Sequence, residues 1–390
     1  MIARAFPRTV MRMDSLAERI RAAARALGFE PVGITSADPL EEDRARLLDW
    51  VAGGAHGSMA YMADRPERRA DPRATFPEAR SVMSLGMSYA PALAGSTEPD
   101  ARGARVARYA RGRDYHKLIW KRLSALEAAI AAASGRPFNG RTFVDTGPLL
   151  ERAFARRAGL GFVGKNTMLI HPLHGSYLFL ATVLTDLELA PDAPSRTSCG
   201  SCRLCLDACP TQALTPMQLD ATRCLSYLTI EERGPIAPHL RDAVGGWAFG
   251  CDICQEVCPY NRHATPTREP DFAPERGAGA ALDLAQVLAL TAADAFLARF
   301  AGTPLTRPKR EGLVRNACLA AAHTGRHDLV PQLAALLSDA SALVRAHAAW
   351  ALARLGGPPA RAALAAALAR ESDAHVRAEL ESGIAAGTAA

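Results

Sequence analysis

Hydrophobic and polar residues follow two periods along the first half of the chain, one typical of helices and one typical of strands. The first clear helix signal is a capping box, in which Ser15 is followed three residues later by Glu18, and Gly28 closes the amphipathic stretch. Further on, the pattern predicts strands near 31–35 and 81–89 and one ending at Asp145, helices near 41–51, 117–134 and 149–158, and a buried hairpin around 171–185. We therefore expect a mixed α/β or α+β domain that begins near Asp14.

The last third of the chain is strongly helical and repeats a short motif. The dipeptide Val-Arg at 314–315 recurs at 344–345, thirty residues later, and at 376–377 after thirty-two more. This period, with small residues around it, is typical of HEAT-type repeats, in which helix pairs stack into a short solenoid. An ordinary helical bundle is the alternative, because the repeats are degenerate.

Composition indicates a globular protein. Of 390 residues, 49% are hydrophobic and 22% charged, which is enough apolar material for a core and excludes a disordered chain. The longest stretch without a formal charge, 166–185, is interrupted by His171, Pro172 and His174, where a membrane span needs unbroken apolar residues. The N-terminus has arginines throughout and no apolar core of a secretion signal. We therefore expect a cytoplasmic protein with no membrane span.

Cysteine spacing is the most informative feature of the sequence, because eight of the nine cysteines lie between Cys199 and Cys258. The first run has the spacing C-x2-C-x2-C-x3-C-P and consists of Cys199, Cys202, Cys205 and Cys209. This is the bacterial ferredoxin pattern for a 4Fe-4S cluster, in which the fourth cysteine ligates a second cluster. A structural zinc site, the alternative, usually divides its four ligands into two separated pairs.

A second run, with cysteines at 251, 254 and 258 before a proline, matches the end of the same pattern but has Ala248 where its first cysteine would fall. Cys224 is the remaining candidate for the missing ligand. The swapped-ligand rule then assigns one cluster to Cys199, Cys202, Cys205 and Cys258, and the other to Cys209, Cys224, Cys251 and Cys254. Paired clusters of this kind pass single electrons, so we expect an electron relay.

A carboxylate ends one predicted strand, since Asp145 precedes the turn at 146–148 and a helix that begins with Glu151 and Arg152. Open sheets place ligand and catalytic groups at the carboxyl ends of strands, although Asp145 could instead cap the helix. The segment 159–166 follows, and its glycines allow a ligand to approach the backbone closely. It lacks the Lys-Ser/Thr ending of a phosphate-binding Walker loop.

Arginines cluster at three places along the chain. The segment 108–116 interleaves arginines with aromatic residues, which is typical of phosphate binding and base stacking, and a solvated helix start is the alternative. The repeat region opens with Arg307, Lys309, Arg310 and Arg315, and arginines on the face of a solenoid favour RNA as a partner. A third cluster, within 65–80, is not diagnostic.

Taken together, these motifs resemble the epoxyqueuosine reductase family of cobalamin-dependent iron–sulfur enzymes. The resemblance rests on both cysteine runs and on the segments 109–116, 144–148, 161–166 and 224–231, and it extends from Asp14 to the last repeat. It implies an oxidoreductase that reduces epoxyqueuosine to queuosine at the anticodon wobble position of tRNA, the final step of queuosine biosynthesis. The implied cofactors are cobalamin and two 4Fe-4S clusters.

The resemblance also implies roles for single residues. Asp145 matches the proton donor of the family. Cobalamin contacts are expected from Arg108, Lys165, Asn166, Ser176, Ser226 and Asp252, and tRNA contacts from Tyr227, Arg307, Lys309 and Arg310. We expect the cobalamin to be base-off, because no Asp-x-His-x-x-Gly run is present, and the resemblance implies cob(II)alamin as its resting state. A monomer and an unidentified low-potential electron donor complete this expectation.

These expectations combine into an α+β chain with three domains. Residues 1–13 form a disordered N-terminal extension, 14–192 an α/β cobalamin-binding catalytic domain, 193–265 a ferredoxin-like domain with two clusters, and 266–390 a HEAT-like repeat domain that binds tRNA.

The reaction sets a requirement on Asp145. Removing an epoxide oxygen to leave an alkene consumes two electrons and two protons, so the site needs a reducing metal and an acid. To act as that acid, Asp145 must be protonated when substrate is bound, which requires surroundings that disfavour its charge.

Two other functions compete with this interpretation. Corrinoid reductive dehalogenases share the corrin and the two clusters, but they are typically exported and end in the ferredoxin segment. A non-catalytic ferredoxin-like electron carrier would leave Asp145 and the repeats without a role.

Overall fold

The computed structural model describes residues 15–91 and 103–388, so the expected N-terminal extension at 1–13 lies outside the described residues. The first half of the chain contains α1 (Leu16–Ala26), β1 (Val32–Ser36), α2 (Glu41–Ala52), α3 (Ala60–Ala63), β2 (Ser81–Ser88), β3 (Ala104–Val106), α4 (Tyr115–Ser134), β4 (Gly140–Phe143), α5 (Glu151–Arg157), β5 (Phe162–Val163), β6 (Leu169–Ile170) and β7 (Leu178–Thr185). The helices begin and end close to the predicted positions. Ser15 caps α1 through a hydrogen bond from the Glu18 N–H, as the capping box predicts.

One antiparallel four-stranded sheet, in the order β1-β2-β7-β4, forms the centre of this half. Side chains alternate across it: Met83 and Leu85 of β2 pack on the layer of α1 and α4, and Val82 packs towards α5. The α+β class is confirmed. Because the strands are antiparallel, the rule for ligand crevices in parallel sheets does not explain the position of Asp145.

The prediction of a hairpin around 171–185 is wrong, because it assigns β7 the wrong partner strand. β7 does not pair with the residues just before it, but lies between β2 and β4 in the sheet. A hairpin whose two strands have two residues each forms earlier, between β5 and β6. A single β-bridge between His171 and Gly175 closes the next turn. The hairpin and the inner strand are both apolar and adjacent in sequence, so periodicity alone could not separate them.

The cysteine segment contains α6 (Leu204–Asp207), β8 (Leu214–Thr215), β9 (Gln218–Leu219), α7 (Leu225–Ile230), α8 (Pro238–Val244), β10 (Trp247–Phe249) and α9 (Ile253–Glu256), and β11 (Ala281–Leu282) follows it. A second sheet, in the order β10-β3-β11, contains one strand from each of the three expected domains. The short helices α6 and α9 pack against each other. Backbone pairing therefore joins the cysteine segment to the parts of the chain before and after it.

The tail consists of α10 (Leu284–Leu288), α11 (Ala293–Phe300), α12 (Lys309–His323), α13 (Val330–Leu336), α14 (Ala342–Leu355), α15 (Gly357–Leu368) and α16 (Ala374–Thr388). Helices α12, α14 and α16 pack side by side, and α13 and α15 form a second layer beside them. This two-layer stack is the arrangement of helical repeats, as the recurring Val-Arg motif predicts. Among residues 15–91 and 103–388, no helix is long and apolar enough to cross a membrane.

The recurring arginine has a structural role in the tail. Arg315 is fully buried and donates hydrogen bonds to the carbonyls of Leu228, Glu232 and Gly234. Arg345 binds the carbonyl of residue 339 and both carboxylate oxygens of Glu371. Each arginine thus satisfies polar groups at the end of a neighbouring element, which explains why the motif repeats.

Candidate active site

Asp145 lies in the turn between β4 and α5, with its backbone in the left-handed region at φ 58°. A residue other than glycine rarely adopts this conformation, and such strain is often found at functional sites. The turn is tight, because a Cβ on Gly147 would lie 2.6 Å from the Phe143 ring. The Asp145 side chain is 62% exposed, so its carboxylate is accessible to a ligand.

Two residues at the start of α4 contact this carboxylate. The Tyr115 hydroxyl donates a hydrogen bond to Asp145 Oδ2 at 2.6 Å, and His116 Nε2 lies 3.6 Å from the same oxygen. Asp114 caps α4 and holds His116 Nδ1 at 2.7 Å. The Tyr115 ring stacks between His116 and Phe179, which fixes both polar groups in place.

In this arrangement the proton is held by His116 and not by Asp145. Burial lowers the pKa of His116, but the hydrogen bond with Asp114 and the nearby Asp145 carboxylate outweigh it and raise this pKa to about 9. The same contact with His116 holds the pKa of Asp145 below its usual range against the opposing effect of desolvation by the surrounding residues, and the Tyr115 hydroxyl lowers it further. The surroundings of Asp145 therefore favour its charged form, which is opposite to what the acid role requires when substrate is bound.

Glu151 provides a second carboxyl group at the site. Its Oε1 accepts the backbone N–H of Asp145 at 3.3 Å. Burial raises the pKa of Glu151, and the Asp145 carboxylate adds to this effect, so that the pKa is about 8. Glu151 is thus protonated at neutral pH and stores a proton beside the ionised Asp145.

Arg307 belongs to this site and not to a separate face of the repeats. It forms a two-bond ion pair with Glu231, with both nitrogen–oxygen distances 3.0 Å, and its guanidinium lies 5.8 Å from the centre of the Tyr61 ring. Its charge contributes to the low pKa of Asp145. Arg307 and Tyr61 are both exposed, so they form a rim next to the carboxylate.

Two other residues expected to contact tRNA are buried. Arg310 is 5% exposed and forms a two-bond ion pair with the buried Asp339, at 2.8 and 2.9 Å. Tyr227 is 6% exposed, and its hydroxyl accepts the Ser58 N–H at 2.8 Å. The polar groups of both side chains already have partners inside the protein, and their expected contacts with tRNA stay predictions. Lys309 remains exposed at the start of α12.

The structure brings four cysteines together near the β5–β6 hairpin, and we call Cys199, Cys202, Cys205 and Cys258 the first cysteine group. Burial raises the pKa of Cys205, and the other three thiols raise it further, so the four sulfurs are electrostatic neighbours. Cys199 and Cys258 pack against Phe162 and Ile170. The Lys165 N–H approaches Cys199 Sγ at 3.4 Å.

The remaining four, Cys209, Cys224, Cys251 and Cys254, form the second cysteine group. Burial raises the pKa of Cys251, and Cys224 and Cys209 add to the effect. Cys224 and Cys251 pack in one apolar cluster with Tyr109. Since the Tyr109 and Tyr115 rings are 6.3 Å apart and Tyr115 binds Asp145, the second cysteine group is on the Asp145 side.

Ligand spacing distinguishes clusters from single ions. Within 15–91 and 103–388, no three His, Cys, Asp or Glu side chains converge closely enough to hold one metal ion. A zinc site gathers its ligands around one ion, whereas a 4Fe-4S cluster is held by one thiolate at each iron, so its ligands stand apart.

The six residues expected to contact cobalamin lie in three places. Lys165 Nζ donates to the carbonyls of Gly200 and Cys202, and Asn166 donates to the carbonyl of Cys254, so both anchor the cysteine loops. Arg108, Ser176 and Asp252 lie in an interior network: Asp252 accepts the N–H of Arg108 at 2.7 Å, and Ser176 donates to Gln255. Ser226 is partly exposed next to Cys224.

Comparison with known proteins identifies the family. Residues 69–146 match the family model for epoxyqueuosine reductase QueG, 198–261 the 4Fe-4S double cluster binding domain, and 309–385 HEAT repeats. The epoxyqueuosine reductase of Xanthomonas campestris pv. campestris is 45% identical over 347 residues, which cover 87% of this chain and 96% of the relative. The chain belongs to the epoxyqueuosine reductase family. The resemblance found from the motifs is thereby confirmed, and the protein is an oxidoreductase that binds iron–sulfur clusters.

Other epoxyqueuosine reductases agree with this assignment. The Pseudomonas aeruginosa enzyme is 44% identical over 350 residues, covering 87% of this chain and 95% of its own. A crystal structure of an epoxyqueuosine reductase with an epoxyqueuosine-modified tRNA stem loop has a TM-score of 0.88 at 32% identity and covers 96% of this chain and 99% of that chain. The Bacillus subtilis enzyme, solved with its catalytic aspartate loop swung out of the active site, has a TM-score of 0.85 at 32% identity, covering 95% and 98%.

Sequence reasoning assigned no role to several groups of this reductase site, namely Tyr61, Tyr115, His116, Glu151 and Glu231. Tyr115 and His116 lie within the segment 109–116, which carries the family resemblance, and Glu151 follows Asp145 by six residues. The sequence therefore pointed to these three residues. Tyr61 and Glu231 are brought to Asp145 only by the fold, through Arg307.

Proposed function

We propose that this reductase converts epoxyqueuosine to queuosine in the anticodon of tRNA by a two-electron deoxygenation, with electrons passing through two 4Fe-4S clusters to cobalamin and a proton passing through Asp145. The observation that carries the proposal is the order of the parts: the second cysteine group, Tyr109, Tyr115 and Asp145 are successive neighbours. The related structure with a tRNA stem loop supports tRNA as the substrate.

The clusters would be held by the two cysteine groups, one cluster each. When bound, they supply low-potential centres that take up and release one electron at a time. Cys205 and Cys254 are electrostatic neighbours across the two groups, which supports transfer between them. Lys165 and Asn166 keep the loops of both groups in place through their backbone carbonyls.

Cobalamin fits the residues beside the second cysteine group. Tyr109 and Met59 pack there as partly exposed apolar side chains, and Ser226 is partly exposed next to them, so these three would hold the corrin. When bound, cobalamin supplies the strongly reducing metal that acts on the epoxide carbon. His116, the histidine next to Asp145, has both ring nitrogens close to carboxylates, so its imidazole is oriented by Asp114 and Asp145.

The proton chemistry follows from the shifted pKa values. Asp145 is ionised and exposed, so it can take a proton from the His116 imidazolium and deliver it to the departing epoxide oxygen. Glu151, protonated at neutral pH, holds a second proton within the same turn. Two protons are thus stored for a reaction that consumes two protons and two electrons and releases water.

Cofactor content and activity together test this function. After anaerobic purification with cobalamin supplied, we expect about eight irons and one corrinoid per chain, and conversion of epoxyqueuosine in a tRNA stem loop by the reduced enzyme. Eight irons without corrinoid, or a loaded enzyme that leaves the modified base unchanged, would overturn the proposal. The monomeric state, the cytoplasmic location and the domain boundaries remain predictions.

A further inference from the structure

The electron relay needs an entrance on the protein surface, and the two cysteine groups differ in this respect. The second group packs in an apolar cluster with Tyr109 on the Asp145 side. The residues between the cysteines of the first group face solvent: Gly200, Ser201, Arg203 and Leu204 are exposed. The loop between Cys199 and Cys205 therefore offers an external reductant an approach to the first group, whose partly exposed members are Cys199 and Cys202.

Basic side chains surround the first cysteine group. Arg196, Arg203 and Arg262 are exposed and lie within four residues of its cysteines along the chain. Lys165 Nζ is bound to the carbonyls of Gly200 and Cys202, so a fourth positive charge is held against the same loop. The segment 193–217 contains one acidic residue, Asp207, which lies 3.6 Å from Arg203.

An apolar patch lies beside these charges. Leu204 is 45% exposed and Met217 is 47% exposed, and α6, which contains Leu204, packs against β8, next to Met217. A cavity of about 380 Å³, lined by Phe162, Ser198 and Met217 among others, opens next to Cys199. An exposed apolar centre with a charged rim is the pattern of a transient protein interface.

We propose that this docking surface, formed by Lys165, Arg196, Arg203, Leu204, Met217 and Arg262, receives a small acidic protein that carries one electron at low potential. The proposal rests on the relay described above. In each encounter the carrier is oxidised by one electron and the first cluster is reduced by one. Two encounters supply the two electrons that one epoxide consumes, and the protons come from the Asp145 site.

The dependence of the reduction rate on surface charge distinguishes an acidic protein partner from a small diffusing reductant. Attraction between oppositely charged surfaces raises association rates by 10 to 10³-fold and weakens with salt, whereas an uncharged small molecule needs no docking. We therefore compare two reductants of the cobalamin- and cluster-loaded enzyme in anaerobic stopped flow. One is a photoreduced, strongly acidic flavodoxin and the other is photoreduced deazariboflavin, a small neutral molecule.

The test variant is R196E/R203E/R262E, and the matched control is R25E/R141E/R361E, which changes the net charge equally at exposed positions elsewhere. We expect cluster reduction by flavodoxin to slow at least tenfold in the test variant, to stay within about twofold of wild type in the control, and to be unchanged in both with deazariboflavin. Equal rates with flavodoxin in the test variant and wild type would overturn the proposal, as would equal slowing in the control.

The wild-type enzyme provides a test that needs no variant. Its rate constant with flavodoxin should fall as ionic strength rises, and a rate independent of salt contradicts docking by charge. If the proposed electron relay does not exist, the measurements differ from those expected when only the docking surface is absent. It appears as missing iron, or as clusters that deazariboflavin cannot reduce, whereas failure of the docking surface leaves both of these measurements normal.

Discussion

Arg307 and Arg310 are three residues apart, yet they belong to two regions with opposite uses of charge. Arg307 is half exposed, pairs with Glu231 and faces the Asp145 site. Arg310 is buried in the tail and pairs with Asp339, which is buried as well. An exposed pair exchanges partners with water at little cost, whereas a buried charge needs its partner at all times. Exposure, not charge, therefore separates the functional arginine from the structural one.

The largest effect is expected at Asp145, the centre of the first region. Asp145→Asn cannot transfer a proton, so we expect turnover on epoxyqueuosine-containing tRNA to fall by roughly 10² to 10⁴-fold. Iron and corrinoid content should stay at the wild-type level. The exposed Asp64→Asn serves as the control and should retain activity. Undiminished activity of the Asp145 variant would remove this residue from the mechanism.

The second region is tested through stability. Arg310→Met leaves Asp339 buried without its partner, and we expect the free energy of unfolding to fall by about 3–5 kcal/mol in a urea titration. The double variant R310M/D339L removes both charges and should recover much of this loss. If the single variant is as stable as wild type, Arg310 does not hold the tail together.

A third prediction concerns the proton on His116. Because the pKa of His116 is raised to about 9, the imidazolium loses its proton as the pH rises through that value, so kcat/KM should fall above it. The variant His116→Gln should not show this fall of kcat/KM at high pH. Its activity should decrease by less than the roughly 10²-fold that a direct proton donor contributes. If kcat/KM of the variant still falls at high pH, the fall arises from the titration of another group.

The smallest effect is expected at Arg307, which completes the comparison. Arg307→Gln breaks an exposed pair, so the free energy of unfolding should change by no more than about 1 kcal/mol. The loss of the Arg307 charge should raise the pKa of Asp145. The fall of activity at low pH should then begin at a higher pH. A stability loss as large as that of Arg310→Met would show that the two arginines do not differ.

Sequence patterns predicted most elements of the fold and failed where two apolar segments adjoin. The capping box placed the start of α1, and the recurring Val-Arg dipeptide predicted the repeats because each arginine satisfies the same kind of carbonyl end. β7 was assigned to a hairpin because an inner strand and a hairpin strand share one apolar pattern. Strand partners depend on the whole sheet, which local periodicity does not contain.

The candidate site was predicted only in part, for the same reason. Asp145 and the eight cysteines were found because their spacing is itself the chemical signal. Tyr61 and Glu231 have no such spacing, and they join the site because their contacts with Arg307 bring them there.

By itself, the sequence determined the family, the α+β class with helical repeats, the cluster-type cysteine spacing and the position of Asp145. Only the tertiary structure decided which arginines are available and where the protons reside. The physical reason is that ligand spacing and helix periodicity are local properties of the chain. Burial and pKa depend on residues far apart in sequence, such as Arg310 with Asp339 or His116 with Asp145.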